Sequence, residues 1–452
     1  MIVVKFGGTS VGDAAAIDRS AQIVKSKLDR NPIVVVSALG GATNALLAVG
    51  EQSGKGHLIG ALRGIETLRD RHLRECEALL GGSDESLEIA GELSAMFDEL
   101  AHLAEALSTL GHVTPRSFDA IAAQGEQLSA NLVAAYFRKL GIDAEYVDPR
   151  TVMITDDRFM EAEPQTDAIA ERAREILQPM VQERRVPVMG GFVGSTASGI
   201  TTTLGRGGSD YTASLVGAAL GAEAIEIWTD VDGMLTADPR VVDGSLLIEQ
   251  IRFDEASELA SFGAKVLHPN TIAPAVRLGI PVFVYNSRKP EGKGTRITFD
   301  APHRPVSAIA GKTDVTIIKV TAARMLLAHG FLRRVFEIFE RHKTSVDVVA
   351  TSEVSVSVTI DDASRLDSLL VDLRDLGDVA IERNRGIIAI VGAGICDAGG
   401  AMGRALMALG DVQIHMMSLS ATGINLTVIV DADAVHPAMQ RLHTEFFGHE
   451  RS

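Results

Sequence analysis

The sequence predicts an α/β protein with a mainly parallel central sheet over roughly its first 300 residues, followed by two ferredoxin-like βαββαβ modules. Three observations carry that prediction. Short apolar strands run repeatedly into glycine-rich polar loops and then helices, first at Ile2-Val3-Val4, then at Pro32 to Val36, then at Val186 to Val193. The ligand edge of such a sheet is the carboxyl end of its strands, where each loop falls. From about Gly311 the pattern changes to strand, helix, two strands, helix, strand, and much of that order then repeats.

The elements follow in order. Ile2 to Val4 leads into Lys5-Phe6-Gly7-Gly8-Thr9-Ser10, a lysine beside a glycine nest that suits a phosphate. Asp13 to Leu28 reads as a helix. Pro32 to Val36 ends in Ser37-Ala38-Leu39-Gly40-Gly41-Ala42-Thr43-Asn44, again small and hydroxylated. Leu58 to Leu110 reads as an αα-hairpin broken at Gly81-Gly82-Ser83. His57, His72, His102 and His112 lie in or near it without metal spacing, and they read as solvated surface residues. Phe118 to Leu140 reads as one long helix. It carries Glu126, which is either an exposed face residue or a buried carboxylate that needs a partner, such as an ammonium group. Ala144 to Val147 is a strand and Thr166 to Gln178 a helix.

The apolar run ending at Val193 leads into Thr203-Leu204-Gly205-Arg206-Gly207-Gly208-Ser209-Asp210, and a helix runs on to Leu220. The glycines let backbone N–H groups approach an anion, and the helix start adds unpaired N–H groups. Arg206 offers a planar fork for a carboxylate or a phosphate. Asp210 is placed to hold a divalent cation or a substrate ammonium. Ala224 to Trp228 is a strand ending in Thr229-Asp230-Val231-Asp232-Gly233, with Leu235 and Asp238-Pro239-Arg240 beyond. Phe253 to Phe262 is a helix followed by Gly263-Ala264-Lys265, and Ile280 to Tyr285 is the last strand of this half.

Composition narrows the function. The chain has 452 residues, 46% hydrophobic and 23% charged, as in an ordinary globular protein. A formal net charge of −16 argues against a nucleic-acid or anionic-membrane partner. Cys76 and Cys396 lie far apart and form no zinc pattern, which fits a reducing compartment. The first apolar run is too short for a signal peptide, and no segment reaches membrane-span length, so the expected location is the cytoplasm. Several nucleotide signatures fail. Around Gly54-Lys55 the Walker spacing is wrong, and at Gly392-Ala393-Gly394 the third dinucleotide glycine is replaced by Asp397. The aspartates between 230 and 238 lack the EF-hand ligand spacing.

Phosphoryl transfer needs positive charge around the transferred group and two ligands held in line. Lys5, the glycine amides and Lys265 supply charge, while Glu126, Arg206, Thr43 and Ser37 suit a zwitterionic acceptor. A carboxylate acceptor is already ionised at neutral pH and needs no general base. That fits the absence of histidine from the glycine loops.

The ordered set resembles aspartate kinases (aspartokinases) of the amino-acid kinase superfamily: Lys5-Phe6-Gly7-Gly8-Thr9-Ser10, Gly41-Ala42-Thr43-Asn44, Gly125-Glu126, Thr203 to Asp210, Trp228 to Gly233, Asp238-Pro239-Arg240 and Phe262-Gly263-Ala264-Lys265. The resemblance spans essentially the whole chain. It implies a three-layer amino-acid kinase-like sandwich over residues 1–300 and ACT domains over 311–385 and 386–452. It implies MgATP as cosubstrate, L-aspartate as acceptor and 4-phospho-L-aspartate as product, at the head of lysine, threonine and methionine biosynthesis, the diaminopimelate pathway included. It assigns Lys5 and Asp210 to catalysis, and Ser37, Thr43, Glu126, Arg206 and Ser209 to aspartate. To the nucleotide it assigns Lys5, Phe6, Gly7, Gly8, Gly207, Gly208, Thr229, Asp230, Leu235, Arg240 and Lys265. Leu235 departs from the family, which often has tyrosine there. Met325, Gly330, Leu332, Ser345, Val346, Asp347, Ser352 and Glu353 resemble the effector pocket of lysine-sensitive members, so lysine is favoured over threonine as feedback inhibitor. Leu327 and Ala328 depart from that pocket, replacing polar residues common there. ACT pairing across subunits implies a homodimer or homotetramer.

Overall fold

The computed structural model describes residues 1–82, 84–262, 269–322, 329–397 and 400–448. The chain divides into two compact units, one of residues 1–234 and 266–300, the other of residues 235–265 and 301–452.

The first unit runs β1 (Ile2–Phe6), α1 (Ala14–Lys25), β2 (Pro32–Val36), α2 (Ala42–Gly54), α3 (Leu58–Leu80), α4 (Asp84–Leu110), α5 (Pro115–Ala122), α6 (Gln124–Lys139), β3 (Ala144–Val147), β4 (Ile154–Thr155), α7 (Thr166–Gln182), β5 (Val186–Gly190), β6 (Val193–Thr196), β7 (Thr201–Thr203), α8 (Gly208–Leu220) and β8 (Ala224–Thr229). The chain then passes through β9 (Gln250–Arg252) and α9 (Phe253–Ser261), which belong to the second unit. It returns with α10 (Ala273–Arg277), β10 (Val282–Asn286) and β11 (Thr295–Thr298).

Within this unit the main sheet has the order β3-β5-β2-β1-β8-β10-β11, parallel except for the antiparallel β10–β11 pair. β1 sits near the middle, in register with β2 on one side (Lys5 opposite Val35) and β8 on the other (Lys5 opposite Ile227). Its residues are buried on both faces, which explains why a β-branched run rather than an alternating pattern forms it. Glu226 on β8 is 2% exposed and is held by Lys27 and Arg30 at 3.0 and 3.2 Å and by the Trp228 indole N–H at 3.1 Å. A buried carboxylate is tolerable only with such partners.

Several elements depart from the sequence reading. The run from Val186 to Val193 is two strands, because Phe192 turns at φ 67° and sends β6 into a small sheet with β4 and β7. The helix expected over 118–140 is α5 and α6, divided at Ala123, whose backbone stays helical (φ −59°, ψ −25°). α7 continues through Pro179 for a last turn. β11 adds an antiparallel strand after the one expected to be last. His72 is a core residue, not a surface one. It is 1% exposed, its Nδ1 lies 2.7 Å from the Leu68 carbonyl, and its ring packs edge-on to Phe97. Burial lowers its pKa, so it is neutral. No helix among the described residues is long and apolar enough to cross a membrane.

The second unit contains β12 (Ala308–Thr321), α11 (Phe331–Arg341), β13 (Val349–Thr351), β14 (Ser355–Ile360), α12 (Leu366–Arg374), β15 (Asp378–Val391), α13 (Ala401–Leu409), β16 (Met416–Leu419), β17 (Asn425–Asp431) and α14 (Val435–Phe447). Its sheet has the order β13-β14-β12-β15-β17-β16. The first predicted βαββαβ pattern is present, whereas the second runs strand, helix, two strands, helix and takes its remaining strand from the start of β12, so the modules are joined more intimately than sequence indicated. β12 and β15 are 14-residue strands paired antiparallel along their length, with a register shift after Lys312, so each strand serves both modules. Each module has its own core, Phe331, Val335 and Leu369 in one and Ile388, Leu426 and Leu442 in the other.

Candidate active site

Lys5 and Asp210 meet at the carboxyl end of the main sheet. Lys5 sits on β1 and Asp210 in the first turn of α8, and their charged atoms are 2.6 Å apart with side chains only 10% and 14% exposed. α8 starts from Gly207 at φ 72°, a conformation that L side chains resist, so the chain enters the helix abruptly with Asp210 at its positive end. The loops after β1 and β2 touch backbone to backbone, and a side chain at Gly8 would come within 3.1 Å of the Ala38 carbonyl.

Glu126 enters the same region from α6. It is 3% exposed, and its Oε2 has no hydrogen-bond partner. Burial pushes its pKa up to about 8, against a backbone hydrogen bond at Ala38 and the positive charge of Lys5, both of which favour the ionised form. Of the two sequence readings, the exposed one is wrong. The carboxylate is buried and lacks a full set of partners. Gly190 and Gly191 make this placement possible. A Cβ at Gly190 would lie 3.0 Å from Glu126 Cβ, and one at Gly191 would lie 2.6 Å from Ser209 Cα. The end of β5 is therefore wedged between Glu126 and the start of α8.

The remaining predicted residues are distributed unevenly. Ser37 is half-buried and donates its N–H to the Phe6 carbonyl at 3.0 Å; Thr43 is half-buried in the first turn of α2; Ser209 is 9% exposed. Arg206 is exposed, and no carboxylate pairs with it among the described residues. The Phe6 side chain is fully buried beside Trp228, so any nucleotide contact there is made by its backbone. The Gly7 N–H donates to the Trp228 carbonyl at 2.9 Å and that of Gly208 to the Gly205 carbonyl at 3.0 Å; these two amides shape the loops rather than offering donors to an anion. Thr229 donates to Asp230 at 3.3 Å.

Sequence reasoning missed two features here. Asp232 is held by Asn286 and by Lys289, whose Nζ lies 2.8 Å away, which brings a further lysine beside the Thr229–Asp230 turn. Asp119 is 1% exposed and accepts hydrogen bonds from Thr203 and Met160. Its signal was spacing: it stands seven residues before Glu126, two helical turns on the same face.

In the second unit Leu235 is half-buried opposite Leu247, and Arg240 is exposed and clamped on Asp238 through Nε at 3.0 Å and Nη2 at 2.6 Å. Of the effector candidates, Gly330 starts α11 at φ 80°, Leu332 is 41% exposed, Val346 is half-buried, and Ser345, Ser352 and Glu353 are exposed. Asp347 is half-buried, its Oδ1 lies 2.9 Å from Lys312, and its Oδ2 has no partner. Lys265 and Met325 lie outside the described residues.

A parallel sheet that gathers a lysine–carboxylate pair, a buried acid and glycine-built helix starts at its carboxyl edge suits a small-molecule kinase. Residues 1–286 match the amino acid kinase family, and residues 388–446 match an ACT domain. The lysine-sensitive aspartokinase 3 of Escherichia coli is 38% identical over 99% of both chains, and the chloroplastic aspartokinase 3 of Arabidopsis thaliana is 36% identical over 98% of this chain and 81% of its own. The crystal structure of E. coli aspartokinase III with aspartate and ADP superposes with a TM-score of 0.86 over 99% of this chain and 100% of that one, at 38% identity. The form with lysine and aspartate gives 0.82 over 99% of each chain at the same identity. The chain belongs to the aspartokinases, ATP-dependent kinases that phosphorylate aspartate.

Proposed function

We propose that Glu126 receives the α-ammonium of aspartate and Arg206 its α-carboxylate, with Ser37, Thr43 and Ser209 beside them. Lys5 then meets the phosphoryl group in transfer, and the loops at Phe6–Gly8 and Gly207–Gly208 surround the phosphates. Thr229 and Asp230, with Leu235, Arg240 and Lys265, serve the nucleotide. The observation that carries this reading is the buried Glu126 carboxylate, with one oxygen unpartnered, beside the Lys5–Asp210 pair. A buried acid in that state favours a cationic ligand.

The chemistry follows from the groups present. The β-carboxylate of aspartate is ionised and attacks unaided, so the protein supplies position and charge. In that role Lys5 stabilises the transferred group in the transition state. Mg²⁺ accompanying ATP is usually held by phosphate oxygens and water with one or two carboxylates. No group of three or more metal-binding side chains gathers among the described residues. Asp210, in the first turn of α8 beside Lys5, is placed to serve as one such carboxylate.

The same reading makes residues 1–300 the catalytic domain and 311–385 and 386–452 a regulatory ACT pair. Its effector would be lysine rather than threonine, and would reach Asp347 and Glu353 with its amino group. The partly free Asp347 carboxylate supports this. Exposed Met417 and Leu419 on edge strand β16 support pairing of subunits through this unit. The setting is cytoplasmic, and the product 4-phospho-L-aspartate leads to lysine, threonine and methionine. A coupled ATP assay with a panel of amino-acid acceptors tests the assignment. Turnover with aspartate and loss of aspartate affinity in Glu126→Gln support it; an unchanged aspartate KM in that variant removes Glu126 from the site.

A further inference from the structure

We infer that Asp119 is a positioning residue of the aspartate site, tying the strand that leads to Arg206 to the helices that carry Glu126. The inference rests on the assignment of Arg206 and Glu126 as the two ends of the substrate clamp. Asp119 lies on α5 and touches no part of the proposed substrate path itself. Its Oδ1 accepts from the Thr203 hydroxyl at 2.6 Å, and its Oδ2 accepts from the Thr203 N–H at 3.1 Å. Both oxygens also accept from the Met160 N–H at 3.0 Å. Thr203 is the last residue of β7, three before Arg206.

Met160 belongs to the segment that backs the Arg206 loop. Its backbone turns at φ 73°, and its carbonyl lies 3.2 Å from where a Gly205 side chain would begin. The Ala162 N–H completes the tie by donating to the Thr203 carbonyl at 2.9 Å. One carboxylate therefore fixes both the strand end and the loop behind it.

The other half of the link is covalent and helical. Across the junction of α5 and α6, the Ala123 N–H donates to the Asp119 carbonyl at 3.0 Å and the Gln127 N–H to the Ala123 carbonyl at 3.4 Å. Asp119 and Glu126 are thus linked through continuous helical backbone hydrogen bonding. Burying a carboxylate this deeply is costly, and burial indeed raises its pKa against the pull of its donors. A side chain needed only to fill space would carry no charge. A small misplacement of a substrate-holding group costs rate or affinity far beyond the lost contact.

The experiment compares Asp119→Asn, Thr203→Val and Thr203→Ser in steady-state assays that vary aspartate and ATP separately. Asp119→Asn turns an amide toward two N–H donors. Thr203→Val removes the hydroxyl and keeps the shape, and Thr203→Ser restores the hydroxyl. The inference expects aspartate KM to rise about tenfold or more in the first two variants with ATP KM within about twofold, and Thr203→Ser to recover most of the loss. An equal rise in both KM values, a native aspartate KM, or Thr203→Ser no better than Thr203→Val overturns it. If Asp119→Asn does not fold, the Thr203 pair decides alone. Glu126→Gln in the same assay separates the two readings. A raised aspartate KM there, with Asp119 and Thr203 variants native, sinks the positioning role only, while a native KM in Glu126→Gln sinks the clamp and this inference with it.

Discussion

Lys5 Nζ lies 2.6 Å from the Asp210 carboxylate, joining the central strand of the main sheet to the first turn of α8. The pair fixes an ammonium at the strand's carboxyl end, with Asp210 held by both Lys5 and the positive end of its helix. Charge placed in advance costs no reorganisation when the phosphoryl group is transferred. Lys5→Met keeps most of the stem and removes the charge. We expect kcat to fall about 10²- to 10³-fold while aspartate KM stays within about threefold, as for a group that acts mainly in the transition state. Steady-state kinetics decide this; an intact kcat with a raised KM would assign Lys5 to ground-state binding instead.

Glu126 makes aspartate binding depend on pH. With no ligand its carboxyl titrates at about 8, so near neutrality it is mostly protonated. The clamp needs the carboxylate, and binding an ammonium must expel that proton. Aspartate affinity should therefore weaken as pH falls below 8, by at most about tenfold per unit. Glu126→Gln should bind weakly and lose this dependence. Aspartate KM measured from pH 6 to 8.5, with calorimetry in two buffers of different ionisation enthalpy, counts the proton. A flat wild-type profile would contradict the assignment.

The same carboxyl group shapes stability in the opposite direction. Its folded pKa of about 8 exceeds the ordinary value of 4.5, so the folded chain retains a proton that the unfolded chain releases. Stability from this group is fully present below pH 4.5 and is lost as pH rises through about 8. Glu126→Gln should thus raise Tm at pH 8.5, by about 3 °C or more, and leave it nearly unchanged at pH 5. Calorimetric scans of the ligand-free protein check this, and a gain at pH 5 equal to that at pH 8.5 would rule out the titration.

Much of the site was legible because its parts are local. Lys5 beside a strand end and Asp210 in a helix's first turn are set by neighbours in sequence, and periodicity located both elements. Glu126 was visible as an acid among alanines, but its burial was not, because that depends on Gly190, 64 positions along the chain. Asp119 was passed over for the same reason: its donors, Met160 and Thr203, are brought to it only by tertiary folding. His72 misled because an αα-hairpin carries polar residues on its outer face, whereas this ring satisfies one nitrogen on its own helix and packs on Phe97. The shared strands β12 and β15 escaped notice because the glycine, asparagine and charged residues near their centres read as loop.

Gly191 is a test of how tightly the start of α8 is set. A methyl group there would come 2.6 Å from both Cα and Cβ of Ser209, closer than nonbonded atoms tolerate. The obstacle is the first turn of a helix and not the end of a flexible side chain. Gly191→Ala should displace Ser209 and Asp210 together, costing about 1–3 kcal/mol of stability and a larger share of activity. Denaturant unfolding and kinetics on one preparation separate the two losses. Near-native kcat and stability would show that the helix start is mobile and is not held in place by this strand.

Asp347 offers a test in the second unit. Its carboxylate is half-buried, paired on one side with Lys312 at 2.9 Å, while its other oxygen has no partner. Burial raises its pKa despite the lysine, so an added cation has something to gain by approaching it. An amino-acid effector whose ammonium meets that free oxygen would compensate the buried charge and hold the module in its bound form, since a ligand shifts an equilibrium only through its differential affinity for the two states. Asp347→Asn keeps the shape and removes the charge. The lysine concentration needed for half-maximal inhibition should rise about tenfold or more, the cost of one charge-assisted contact. The readout is the ratio of activity with and without lysine across a titration, with threonine titrated in parallel. Equal sensitivity of native and variant protein to lysine would remove Asp347 from the effector site, and a response to threonine alone would transfer the regulatory role to that amino acid.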